Sequence, residues 1–146
     1  MRILCVCLGN ICRSPTAEAV LAAYLPGAEI ESAGTGSWHL GDPPYPPAIE
    51  AAACRGYDLS ALRARQVRAS DFTAFDLILA MDAKNLANLR AMAPSDATAN
   101  VELFLSHSGG GDVPDPYYTR DFDGALDLIE AGAASWAAQP HISSAT

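Results

Sequence analysis

The sequence has little positive charge. Lys84 is its only lysine, and nine basic residues stand against 17 acidic ones, which gives a formal net charge of −8 and a pI near 4.6. Nucleic-acid surfaces need clustered lysine and arginine side chains, so we expect no DNA or RNA partner. A phosphorylated ligand would be repelled at long range, and a phosphate site must therefore create its positive potential locally.

Long apolar runs are also missing. No run approaches the ~18 apolar residues of a membrane span, so we expect no membrane partner. The N-terminal segment is too short in apolar length for a signal peptide and lacks a small-residue cleavage site. These features predict a cytoplasmic protein, in a compartment where thiols stay reduced.

The chain has four cysteines, and Cys5, Cys7 and Cys12 lie within eight positions. A disulfide framework is not expected in the cytoplasm, which leaves a reactive thiol, a metal site or core packing. The spacings lack a second ligand pair, so zinc is disfavoured, and no Gly-Lys-Ser/Thr sequence is present to form a Walker loop. We therefore expect no metal and no cofactor, and we assign Cys5 to the core.

The composition and the order of predicted elements indicate one α/β domain over residues 1–146. Half of the chain is apolar and 18% is charged, enough to build a core. Alternating strands and helices predict a four-stranded parallel sheet with helices on both faces. The strands are predicted at 3–6, 28–32, 76–81 and 101–105, and the helices at 15–25, 48–55, 83–92 and 121–138. Residues 106–118 are predicted to be a loop.

Two helix starts carry capping signals. Ser14 is predicted to be the N-cap of the first helix, with Pro15 at its first position. Asp82 is predicted to cap the helix that runs to about Met92. In parallel sheets, ligands bind beyond the carboxyl ends of the strands. The loop after the first strand lies at that edge.

That loop joins a cysteine to an arginine six positions later. Gly9 and Asn10 permit a sharp turn, so that successive backbone N–H groups aim at one point, and the following helix adds its positive N-terminal end. Arg13 offers a planar fork for two phosphoryl oxygens, and the same field favours a nucleophilic thiolate at Cys7. The predicted phosphate-binding residues are Leu8, Gly9, Asn10, Ile11, Cys12, Arg13 and Ser14.

The segment CLGNICRSP, residues 7–15, resembles the phosphate-binding signature of the low-molecular-weight protein tyrosine phosphatases. The resemblance implies the phosphatase type I (low-molecular-weight) fold and hydrolysis of phosphotyrosine in proteins, with inorganic phosphate as product. We expect a monomer. Further matching islands follow in the family's order at 16–19, 32–34, 64–67, 71–72, 75–76, 81–82, 85–86 and 115–118.

Asp115 stands between two prolines, which hold it in a stiff loop. An Asp-Pro pair alone most often marks a turn, but the resemblance implies that Asp115 is the general acid and then the general base. By the same resemblance, Tyr117 and Tyr118 line a slot for a phenyl ring, and Trp38 lies on the opposite wall.

The resemblance also implies supporting roles. Asn10 and Ser14 hold the loop, Ser32 bonds Asn10, and Cys12 is a disulfide partner for Cys7 under oxidation. One departure is Leu62, which stands where many members carry a histidine that bonds the loop asparagine. Its absence puts the rigidity of Asn10 in doubt. A further departure is Thr119, which stands where a glycine is common after the two tyrosines. We place the three histidines on the surface: His39, His107 and His141.

Three other functions share some features with this sequence. An arsenate reductase of this fold needs further cysteines late in the chain, and the remaining one, Cys54, is mid-chain. A protein arginine phosphatase carries threonine where Ile11 stands and has a less aromatic acid loop. An anion-binding module without catalysis has no need for a nucleophile, a clamp and an acid together. Tyrosine phosphatase activity is the function we expect.

Overall fold

The computed structural model describes residues 1–143; the last three residues of the predicted domain 1–146 lie outside the described part. Four strands form one parallel sheet in the order β2-β1-β3-β4. This confirms the predicted four-stranded parallel sheet. The strands are β1 Arg2–Cys7, β2 Glu29–Gly34, β3 Leu77–Ala80 and β4 Asn100–Leu103.

Helices cover both faces of the sheet, as predicted. On one face α1 and α6 pack against the side chains of Ile3, Cys5 and Leu79, and on the other α3 and α4 pack against Leu4 and Val6. The helices are α1 Arg13–Tyr24, α2 Pro46–Ala53, α3 Asp71–Ala74, α4 Ala83–Met92, α5 Pro116–Thr119, α6 Phe122–Ala137 and α7 Pro140–Ser143.

The alternation of side chains along β1 decides which cysteines reach the core. Residues two apart share a face of the sheet, so Cys5 and Cys7 both point toward α1 and α6. Cys5 is fully buried, and burial raises the pKa of its thiol well above its usual value. Cys5 is therefore an inert core side chain, whereas Cys7 lies at the carboxyl end of the strand.

The predicted cap of the first helix is wrong. The helix begins at Arg13 with Cys12 at the N-cap position, so Ser14 and Pro15 lie inside its first turn. Ser14 is fully buried, and its hydroxyl contacts other side chains behind the loop instead of capping the helix. The prediction for α4 is confirmed, since the Asp82 carboxylate accepts a hydrogen bond from Asn85 N at 2.7 Å.

Several boundaries also differ. The second helix begins at Pro46, two residues before the predicted start, because proline is tolerated in the first helical turn. The predicted loop 106–118 contains the start of α5, a single turn too short to show a helical period. β4 ends at Leu103 because Phe104 turns into the core, where its carbonyl accepts from Trp136 Nε1 at 2.7 Å.

The carboxyl ends of β1 and β3 meet at one edge of the sheet. Cys7 is the last residue of β1, and Asp82 lies in the short connection after β3. The fold therefore brings the predicted phosphate loop and the N-terminus of α4 together. Among residues 1–143, no helix has the length and apolar character needed to cross a bilayer.

Candidate active site

The loop between β1 and α1 wraps around the Cys7 sulfur. Asn10 adopts a left-handed conformation, φ 58°, which turns the chain back on itself. Its backbone N–H then donates to Cys7 Sγ at 3.3 Å, and Ser14 Oγ lies 3.0 Å from the same sulfur. The sulfur is thus held by hydrogen-bond partners on two sides.

Four further amides at the loop have no protein acceptor among residues 1–143. Within the described chain, the N–H groups of Gly9, Ile11, Cys12 and Arg13 donate to no backbone carbonyl. These groups precede or open α1, so the positive end of that helix adds to their field. A loop of free amides at a helix N-terminus is suited to an anion such as a phosphoryl group.

A buried hydrogen-bond network supports the loop from behind. The Asn10 amide Nδ2 donates to Ser14 Oγ at 2.7 Å and to Ser32 Oγ at 3.0 Å, while its Oδ1 accepts from Arg65 N at 3.0 Å. Ser32 Oγ in turn donates to Glu18 Oε1 at 2.6 Å. Burial raises the pKa of the Glu18 carboxyl, and this effect outweighs the opposing hydrogen bond from Ser32.

These contacts hold Asn10 although Leu62 replaces the family's histidine. Both ends of the Asn10 amide are bonded without a histidine, and Leu62 packs in a small apolar cluster with α2. The structure brings Asn10, Ser14 and Ser32 together in one hydrogen-bond network. The side chains of Asn10 and Ser14 lie behind the loop and outside the cavity that it lines.

The close fit between the loop and β2 depends on Gly34. A Cβ at this position would lie 2.7 Å from the Leu8 carbonyl oxygen and 3.2 Å from Asn10 Cβ. The Gly34 N–H donates to Arg65 O at 2.8 Å, and its carbonyl accepts from Val67 N at the same distance. Gly34 therefore allows the loop to rest directly on the end of β2.

Arg13 is buried, with 4% of its side chain exposed, and is fixed by three groups. Its Nη1 donates to Asp82 Oδ2 at 2.7 Å and to Val113 O at 2.9 Å, and Nη2 lies 3.6 Å from Asp115 Oδ2. Burial alone would lower the pKa of Arg13, but the charges of Cys7, Asp82 and Asp115 raise it on balance. The guanidinium is therefore a permanent cation beside Cys7.

Asp115 lies across the cavity from the loop, and its side chain is 25% exposed. It caps the short helix α5, since its Oδ1 accepts from Tyr117 N at 3.0 Å. Its other oxygen faces Arg13. The structure thus brings together Cys7, Arg13 and Asp115, although the last two are about a hundred positions apart in sequence.

A cavity of about 370 Å³ opens above Cys7 and Arg13. Aromatic side chains form its mouth: Trp38 is 71% exposed, Tyr117 43% and Tyr118 74%. The structure therefore places the three predicted slot residues at the cavity, with a charged floor and apolar walls. It is lined by Cys7, Leu8, Gly9, Ile11, Cys12, Arg13, Trp38, His39, Asp115, Tyr117 and Tyr118.

His39 was not expected at the site. Its ring lies against the loop, where a Cβ on Gly9 would be 3.1 Å from His39 Cδ2, and its Nδ1 lies 3.3 Å from Asp42 Oδ2. The only signal in the sequence is that His39 follows Trp38. His107 and His141 are exposed and lie outside the cavity lining, as expected.

Cys12 shares the cavity with Cys7 and is 4% exposed. Burial, followed by the negative charge of Asp115, raises the pKa of its thiol to about 12. Cys12 is therefore a neutral thiol near pH 7. Within residues 1–143 no group of three or more His, Cys, Asp or Glu side chains is arranged to hold a metal ion.

Comparison with known proteins identifies related chains. The family model described as low molecular weight phosphotyrosine protein phosphatase matches residues 2–143. A Bacillus subtilis protein, low molecular weight protein-tyrosine-phosphatase YfkJ, is 43% identical over 139 residues, which is 89% of each chain. A Streptomyces coelicolor protein named low molecular weight protein-tyrosine-phosphatase is 44% identical over 146 residues, covering 90% of this chain and 88% of that one.

Solved structures share the fold. The crystal structure of B. subtilis YfkJ superposes with a TM-score of 0.89 at 39% identity and covers 97% of this chain and 94% of that chain. A structure described as a Drosophila arginine phosphatase superposes with a TM-score of 0.87 at 31% identity, over 92% of this chain and 94% of that chain.

Proposed function

Since the chain belongs to the low-molecular-weight phosphotyrosine protein phosphatases, we propose that it hydrolyses phosphotyrosine in proteins through a cysteinyl-phosphate intermediate. Cys7 is the nucleophile, Arg13 the phosphate clamp, and Asp115 the general acid and then the general base. The observation that carries the proposal is the convergence of these three side chains in one cavity whose floor is a loop of free amides.

In the first step the Cys7 thiolate attacks phosphorus while the phosphoryl oxygens are bound by the loop amides and Arg13. The S–P bond forms and the P–O bond to tyrosine breaks in line. The departing phenolate, whose acid has a pKa of ~10, takes its proton from Asp115. Such proton transfer contributes typically ~10² to 10⁴-fold. Asp82 and Val113 fix Arg13 in advance, so little reorganisation is needed.

In the second step water attacks the phosphorus of the cysteinyl-phosphate. Asp115, now a carboxylate, takes one proton from this water, the S–P bond breaks, and the electron pair returns to Cys7. Inorganic phosphate and the thiolate are released. The hydrogen bonds from Asn10 N and from Ser14 to the sulfur stabilise the thiolate as leaving group.

The aromatic mouth supports tyrosine as the substrate side chain. Trp38, Tyr117 and Tyr118 offer faces and edges to a flat phenyl ring, and Ile11 adds an apolar contact at the floor. The fold alone does not separate this function from arginine phosphatase activity, because a structure described as an arginine phosphatase shares it. We expect turnover of phosphotyrosine peptides to exceed that of phosphoarginine peptides.

The test is hydrolysis of p-nitrophenyl phosphate at mildly acidic pH without added metal. We expect the wild type and the matched control Cys54→Ser, which changes an exposed cysteine, to be equally active. Cys7→Ser should be inactive, and Arg13→Lys strongly impaired, because an ammonium cannot replace the planar fork. EDTA should have no effect. Wild-type rates for Cys7→Ser would overturn the mechanism.

Redox control is a second part of the proposal. A mild oxidant such as hydrogen peroxide converts the Cys7 thiolate to a sulfenic acid, and the Cys12 thiol then displaces hydroxide, which leaves as water, to form a disulfide. Both cysteines line the same cavity. We expect dithiothreitol to restore activity to peroxide-treated wild type and not to Cys12→Ser. Mass mapping that finds Cys7 sulfonic acid and no Cys7–Cys12 crosslink in wild type would contradict this.

A further inference from the structure

Tyr45 connects the phosphate loop to the segment that carries Asp115. It precedes α2 and lies outside the cavity lining. Its backbone N–H donates to Ile11 O at 2.8 Å, which fixes it to the phosphate loop. On the other side, its ring centroid is 5.2 Å from that of Tyr117, and its hydroxyl accepts from Arg120 Nη1 at 3.0 Å. One residue therefore touches both halves of the proposed active site.

The segment that carries Asp115, residues 114–120, has few other polar attachments, and of its residues Pro116 alone is buried. Within the described chain, its polar contacts with residues outside 114–121 are the Asp115–Arg13 ion pair at 3.6 Å and the Arg120–Tyr45 hydrogen bond. Its other hydrogen bonds stay inside the segment or reach Asp121. Because α5 is a single turn, it cannot fix its own position. The position of Asp115 therefore depends on its outside contacts.

Arg120 makes one of these contacts, the hydrogen bond to Tyr45. It ends α5 in a left-handed conformation, φ 63°, which costs backbone energy that glycine would avoid. Its guanidinium lies over the Tyr45 ring, 5.5 Å from the centroid, and also donates to Tyr117 O at 3.4 Å. The side chain thus clamps the end of α5 onto Tyr45 by a hydrogen bond and a cation–π contact.

We propose that Tyr45 and Arg120 are positioning residues that hold the general acid over the phosphate loop. The proposal rests on the function proposed above for Asp115. Neither residue touches the substrate: Tyr45 fixes the distance between Ile11 and Tyr117, and Arg120 prevents the end of α5 from lifting. Small displacements of a catalytic group reduce rates steeply. The Tyr45–Arg120 pair, called the brace below, therefore determines how well Asp115 reaches the leaving oxygen.

The expected signature is a dependence on the leaving group. Phenyl phosphate needs protonation of its leaving oxygen, whereas 2,4-dinitrophenyl phosphate expels a stable phenolate without help. For Tyr45→Leu we expect kcat/KM on phenyl phosphate to fall about tenfold, and on the dinitrophenyl ester less than about twofold. Arg120→Gly, which also relieves the left-handed strain, should show the same pattern at about threefold to tenfold. Tyr45→Phe keeps the ring contact and should fall between wild type and Tyr45→Leu.

Matched controls separate this role from general damage. Tyr24→Leu and Arg90→Ala remove the same side-chain types from exposed positions far from the cavity, and both should match wild type on both esters. Thermal unfolding confirms that each variant is folded at the assay temperature. Arg120→Lys keeps a cation over the Tyr45 ring and should recover part of the loss on phenyl phosphate.

The outcomes distinguish this proposal from the one on which it rests. An active Cys7→Ser, or an Asp115→Asn that slows both esters equally, would refute the proposed mechanism itself. If those two variants behave as expected but Tyr45→Leu slows both esters equally or not at all, the brace alone is wrong. If Arg120→Gly changes only KM for acidic phosphopeptides, Arg120 contacts the substrate and the brace is again wrong.

Discussion

Replacing Asn10 removes a side chain that ties the phosphate loop both to Ser32 of β2 and to the chain at Arg65. Its amide makes hydrogen bonds to Ser14, Ser32 and the Arg65 N–H, and the residue is 2% exposed. Its backbone is left-handed, so the two simplest replacements differ in a useful way. Asn10→Gly removes the bonds and tolerates the conformation, whereas Asn10→Ala removes the bonds and is strained.

The free-energy cost of each change follows from these contacts. Three hydrogen bonds at about 1 kcal/mol each give about 3 kcal/mol for Asn10→Gly. The alanine variant adds about 1 kcal/mol for a Cβ in the left-handed region. For a domain near 150 residues, about 3 kcal/mol corresponds to a decrease in Tm of roughly 6 to 12 °C. The total stability of such domains, about 5–15 kcal/mol, is enough for both variants to remain folded at 25 °C.

Circular dichroism melts and p-nitrophenyl phosphate assays test this together. We expect both variants to melt below wild type, Asn10→Ala below Asn10→Gly, and kcat to fall about tenfold as the loop loses its shape. Asn88→Ala changes an exposed asparagine on α4 and should leave both quantities close to wild type. If both Asn10 variants melt within about 2 °C of wild type, a change expected from less than about 1 kcal/mol, these hydrogen bonds do not stabilise the loop as expected.

Three other changes test separate parts of the structure. The raised pKa of Glu18 means that the folded state binds its proton more tightly than the unfolded state, so wild type loses stability as pH rises past 4.5. The Tm of Glu18→Gln minus the Tm of wild type should therefore increase from acidic to neutral pH. A difference that stays the same over this pH range would contradict this. Asp82→Asn leaves the buried Arg13 charge partly uncompensated and should lower the free energy of unfolding by about 3 kcal/mol in urea titrations; a loss below about 1 kcal/mol would contradict the pairing. Gly34→Ala forces a methyl group against Leu8 O, so we expect weaker vanadate inhibition and about 1–3 kcal/mol lower stability, and unchanged inhibition would contradict this.

The elements with a clear local pattern were predictable from the sequence. β1 and β3 are short, continuous apolar runs, which are typical of strands buried on both faces. The helix α4 carries its own cap at Asp82, and the carboxylate bonds Asn85 N as the sequence indicated. In these segments local chemistry and tertiary packing favour the same structure, and therefore the predictions held.

The sequence-based predictions failed where long-range contacts, and not local patterns, determine the structure. Ser14 is a residue type that commonly caps helices, but here its hydroxyl contacts Cys7 and Asn10. Cys12 occupies the N-cap position instead, without a side-chain hydrogen bond. The short helix α5 is a single turn and shows no period. Its position depends on contacts with Tyr45 and Arg13 that no local pattern encodes.

The part of the site whose residues are close in sequence was predictable. Cys7 and Arg13 lie at the two ends of one loop, so their spacing and the free amides between them could be inferred from the sequence. Asp115 required the family resemblance, because its approach to Arg13 depends on how the chain crosses the sheet. His39 reaches the cavity through the path of the loop after β2, which residue spacing does not determine.

Trapping the phosphorylated enzyme would test whether Cys7 is the nucleophile. Asp115→Asn mixed rapidly with p-nitrophenyl phosphate and quenched in acid should carry one phosphoryl group, and peptide mass spectrometry should locate it on Cys7. Cys7→Ser treated in the same way should carry none. Catalytic turnover without phosphorylated Cys7, or with the phosphoryl group on any other residue, would contradict nucleophilic catalysis by Cys7.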